Sequence, residues 1–99
     1  MPYIKQEDRK KFDVALDELG KAIGGEGELN YCITKLCHAY LDKHGLRYHN
    51  IARISGVLSN VESEFYRRVS AIYEDAKIEE SGDILPEAFM DWHSKYIKE

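Results

Sequence analysis

From Tyr48 to Asp83 the chain reads as one long helix, and that helix constrains everything else. Ile51, Ile54, Leu58, Val61, Phe65, Val69, Ile72 and Ala76 recur at spacings of 3, 4, 3, 4, 4, 3 and 4. This is close to a heptad seam, with one added residue between Phe65 and Val69. Ser81-Gly82 stops it. About thirty residues at 1.5 Å rise reach about 45 Å, more than the width of a domain this size. Such a helix needs something to lie against. Two outcomes stay open: it breaks or kinks near Ser55-Gly56, where a mid-helix glycine costs about 1 kcal/mol, or it projects and pairs with a second copy.

The flanks are also helical in pattern. Phe12, Ala15, Leu16, Leu19, Ala22 and Ile23 lie on one stripe, which predicts a first helix over about 6–23. Glu7 and Asp8 suit its first turn, and Gly24-Gly25 are expected to end it in the left-handed conformation. Leu29, Ile33, Leu36, Cys37, Tyr40 and Leu41 predict a second helix over about 28–43, with Gly45 just past its end. Pro86 is placed to open a short last helix, with Phe89, Trp92, His93, Tyr96 and Ile97 sharing a face. No strand-like alternation or repeat is present. The expected fold is all-α, a small helical bundle of three to four helices, with a single domain over 1–83 and a tail over 84–99.

Length and charge narrow the function classes. A chain of 99 residues makes one domain whose core alone gives thin stability, so self-association is the cheapest supplement. With 43% hydrophobic and 32% charged residues, the composition is that of a charge-rich helical protein. A net charge of −4 disfavours nucleic acid as an obligate partner. No apolar run approaches the roughly 18–20 residues that cross a bilayer, and no membrane partner is expected. The opening MPYIKQEDRKKF carries charge where a signal peptide would be apolar, which points to the cytoplasm and to reduced thiols at Cys32 and Cys37.

The densest polar cluster lies on the long helix. Glu64 precedes Arg67 and Arg68 by three and four residues, in the favourable acid-first order. With Tyr73, Glu74 and Asp75 these residues form the candidate binding face. Read plainly, they are ordinary pairs on a solvated surface. Read sharply, the guanidiniums hold an anion or the carboxylate of a partner protein.

Other chemistry is incompletely supplied. All-α nucleotide pyrophosphatases hold magnesium with E-x-x-E and E-x-x-D pairs. Glu80 and Asp83 match the second by spacing but straddle the helix stop, and no E-x-x-E exists. Cys32 and Cys37 stand about 140° apart on a helix, unable to share a zinc ion and best read as small packed thiols. A helix-turn-helix centred on Gly56 would put Ser55 and Glu62 where apolar contacts are usual, and Glu62 and Glu64 against phosphates. No catalytic residue, metal or cofactor is assigned.

Three motifs carry a resemblance. The opening M-P-Y-I-K-Q-E-D-R, G-E-L-N-Y-x-I-T-K-L from Gly27 to Leu36, and E-F-Y-R-R-V…Y-E-D-x-K-I-E-E-x-G-D resemble a family of short helical microbial and phage-borne proteins with no established activity. The resemblance spans about 1–83 and implies a small helical protein without implying site residues. The expected function is a small binding or adaptor module acting as a homo-oligomer, a dimer foremost. A magnesium-dependent enzyme on a phosphorylated small molecule is the alternative, and a DNA-binding regulator the second.

Overall fold

A computed structural model describes residues 4–96, apart from the side chains at positions 90, 91, 93 and 96. The described chain is almost wholly helical, with no strand. Helix α1 spans Gln6–Ala22, α2 Glu26–His44 and α3 Tyr48–Phe65. A π turn over Tyr66–Ser70 leads without a break into α4, Ala71–Ser81, and α5 comes after it at Glu87–Tyr96. The all-α class and the long helix from Tyr48 to Ser81 are therefore as the sequence indicates. No helix is long and apolar enough to cross a membrane among the described residues.

Gly56 does not interrupt α3. The side-chain pattern on both sides is helical, and the cost of one glycine is too small to stop so long a helix. The irregular turn lies ten residues further on. A helix-turn-helix would need its turn at Gly56, and that turn is not formed.

The stops differ in chemistry. Gly45 and Gly82 have φ of 107° and 93°, and their N–H groups donate to Leu41 O and Ile78 O, both at 2.7 Å. Their ψ values of 148° and 146° put them in a region essentially confined to glycine. Gly24-Gly25 behave otherwise. Gly25 is extended, with φ −161°, and precedes α2 as its N-cap, so the expected left-handed stop is not used there. The exit from α1 is made by Ile23, itself extended, whose N–H reaches Leu19 O at 3.2 Å. Glu28 helps to fix the start of α2 by accepting the Gly24 N–H at 2.7 Å, a reach resembling the capping box.

The chain divides into two units between Val61 and Glu62. In the first, the apolar stripes of the three helices remain open to solvent. Phe12 and Leu16 of α1, Leu29, Ile33 and Leu36 of α2, and Ile51, Leu58 and Val61 of α3 are all exposed. In the second, Phe65, Val69 and Ile72 are exposed, as are Phe89 and Trp92 of α5. Ile97 of that expected face lies outside the described residues, as do the His93 and Tyr96 side chains. Among the described residues no apolar side chain is buried.

The single buried residue among those described is polar. Asn50, 3% exposed, donates from Nδ2 to His44 O at 3.1 Å and to Gly45 O at 2.9 Å. The His44 carbonyl, in the last turn of α2, lacks a partner in its own helix and Asn50 at the start of α3 supplies one, while the Gly45 carbonyl takes the Asn50 amide beside the Arg47 N–H at 3.0 Å. Its Oδ1 accepts from Arg53 at 3.5 Å, and the Tyr40 and His44 rings lie 4.3 Å apart just before. This fixes the corner between α2 and α3.

Candidate functional site

In the first unit, Leu36, Cys37 and Tyr40 of α2 face Arg53, Ile54, Val57 and Leu58 of α3 across a groove of about 280 Å³. Its lining is almost wholly apolar, with Arg53 its one charged residue. Leu36 is 58% exposed and Leu58 42%. The two helices thus present their apolar sides along one trough without filling it. The sequence stripes had named most of these residues, those of α2 as the stripe of a second helix and those of α3 as the seam of the long one. Val57 was missed, because it stands one position outside the seam on a helix read by itself.

The predicted polar face sits in the second unit and divides into two clusters. Glu64 accepts from Arg67 at 3.2 Å and pairs with Arg68 at 3.6 Å. Both arginines are more than half exposed, which puts these pairs in the range of about 0–1 kcal/mol. Beyond the π turn, Glu74 accepts the Tyr66 hydroxyl at 3.3 Å. The negative charge of Glu74, then that hydrogen bond, then slight desolvation and Asp75 raise the Tyr66 phenol above its ordinary pKa. Tyr73 lies under the Lys77 ammonium at 5.7 Å.

Glu64, Arg67 and Arg68 are therefore brought together, and Glu74 and Asp75 act jointly on Tyr66. Tyr66 is the member that sequence reasoning left out. Eight residues separate it from Glu74, an interval that on a regular α-helix leaves side chains about 80° apart. The π turn supplies the missing rotation.

The acidic pair considered for magnesium is engaged locally. Glu80 pairs with Lys77 at 3.0 Å, and Asp83 Oδ1 accepts the N–H groups of Ile84 at 2.7 Å and Leu85 at 3.2 Å. The latter is an Asx turn that leads out of α4. Among the described residues no three His, Cys, Asp or Glu side chains gather closely enough to hold a metal ion. Cys32 and Cys37 are free thiols, each half-buried, and Cys37 lines the groove.

Residues 1–84 match a domain of unknown function, DUF6899. The chain belongs to the DUF6899 family. No curated protein and no solved structure matches it. The DUF6899 match takes in α1, α2, the whole long helix, the groove and the polar face, and it ends before α5.

Proposed function

We propose that the chain is a small binding module whose working form is a homodimer closed over the apolar faces of α2 and α3. The observation that carries this reading is that no described apolar side chain is buried within one chain. Burying a large aliphatic side chain is worth about 1.5–3 kcal/mol, so covering the half-open Leu29, Ile33, Leu36, Ile51, Leu58 and Val61 offers on the order of 5–10 kcal/mol per chain. That is comparable with the whole net stability of a small domain. A cover so large in proportion must be present whenever the chain is made, and a second copy meets that requirement. Near-heptad spacing on α3 suits pairing with a like helix. The polar face of Glu64, Arg67, Arg68, Tyr73, Glu74 and Asp75 is the part of this reading that meets a further protein, through an anionic group presented to the arginines.

Light scattering after size exclusion, across a concentration series, tests the dimer. The wild type is expected to run as a stable dimer. Leu36→Glu and Leu58→Glu each place a charge in the covered groove and are expected to weaken association at least about a hundredfold. Both positions are exposed in the single chain, so helicity by circular dichroism should persist. A wild-type monomer at every concentration overturns the reading.

A further inference from the structure

Within the second unit, the π turn sets which side the later residues face. On a plain α-helix, Phe65, Val69, Ile72 and Ala76, spaced 4, 3 and 4, fall within an arc of about 60°. A π turn takes up one extra residue, which rotates the downstream helix by about 100° relative to that plan. With the turn at Tyr66–Ser70, Ile72 and Ala76 are swung off the side that carries Phe65. The same rotation brings Tyr66 and Glu74 into line for their 3.3 Å hydrogen bond. The apolar spacing thus describes an uninterrupted α-helix, and the single chain holds another register. Phe65, Val69 and Ile72 are 59%, 49% and 62% exposed, so each stays about half open to solvent in that register.

We propose that Tyr66–Ser70 is a register switch, in which a second copy seated on this segment converts the π turn to α. Conversion aligns Phe65, Val69, Ile72 and Ala76 into one face and releases Tyr66 from Glu74. The driving force is differential: the partner meets four aligned apolar residues in one register and a split set in the other. The Glu64–Arg67 pair, at i and i+3, survives the change. This inference rests on the self-association proposed above.

Deleting Arg68 alone tests it. A plain α-helix through the shortened segment reproduces the rotation that the π turn now gives, and the aligned register becomes unreachable. Arg68→Ala controls for the lost charge. The expected result is a dimer at least about tenfold weaker for the deletion, with Arg68→Ala within about threefold of wild type and helicity retained in both. Tyr66→Phe removes the bond that favours the π register, and is expected to tighten the dimer by about threefold per chain. A deletion variant that dimerises as tightly as a dimeric wild type overturns the switch alone, as does a Tyr66→Phe dimer no tighter than wild type. A monomeric wild type removes the self-association reading and the switch with it.

Discussion

Tyr66 gives the residue scale a readable signal. The phenol is held neutral chiefly by the charge of Glu74 and by donating a hydrogen bond to it, so it ionises above the ordinary tyrosine value of about 10. The folded form then keeps its proton where the unfolded chain has lost it. The contribution to stability is fully present below pH about 10 and is lost as pH rises through the folded value. Absorbance titration of wild type against Tyr66→Phe isolates this one phenol, and Glu74→Gln should bring its midpoint back toward the ordinary value. A midpoint unchanged by Glu74→Gln would mean that the pair does not form. Asn50 makes the second residue-scale prediction. Asn50→Ala removes the buried amide that donates to the His44 and Gly45 carbonyls and leaves Gly45 O with the Arg47 N–H alone, at a cost of about 1–3 kcal/mol. Urea unfolding with circular dichroism as the readout measures that loss directly.

At the scale of the element, two glycines should respond in opposite directions. Gly45→Ala forces a Cβ into a backbone conformation that only glycine tolerates and should destabilise by about 1–3 kcal/mol. Gly56 lies inside α3, where a Cβ would meet nothing within 4 Å, so Gly56→Ala should stabilise by about 0.5–1 kcal/mol. Thermal unfolding of the two variants beside wild type checks both signs. The helices themselves were legible because each carries an apolar stripe or ends at a glycine. The first and long helices begin and end within one or two residues of where periodicity and stops put them. The π turn was not legible. Phe65 and Val69 are four apart whichever hydrogen-bond pattern joins them, so spacing alone read the segment as α and left its one anomaly as a drift in the seam. Asn50 was hidden for a similar reason: its partners are backbone carbonyls of the preceding helix, which carry no sequence signature. An asparagine five residues after a glycine stop is the signal to seek in other chains.

For the whole molecule, apolar patterning showed which faces want cover, and the near-heptad spacing of the long helix led to the expectation of a second copy against it. Leu36 belongs to the stripe of the second helix and Leu58 to the seam of the long one, and in the single chain both line an open groove. The candidate polar face was legible only as local pairs. Glu64 with its two arginines follows from i, i+3 and i, i+4 spacing, whereas Tyr66 with Glu74 depends on a turn that spacing does not reveal. The bare apolar helices also have a consequence for survival. Degradation of a protein tracks how often its backbone is open to a protease, and helices in which no described apolar side chain is buried open easily. Under the self-association proposed above, a lone chain is the better substrate and a covered one the poorer, so abundance is expected to climb more steeply than synthesis: below a threshold output copies are lost before they meet, and above it the population persists.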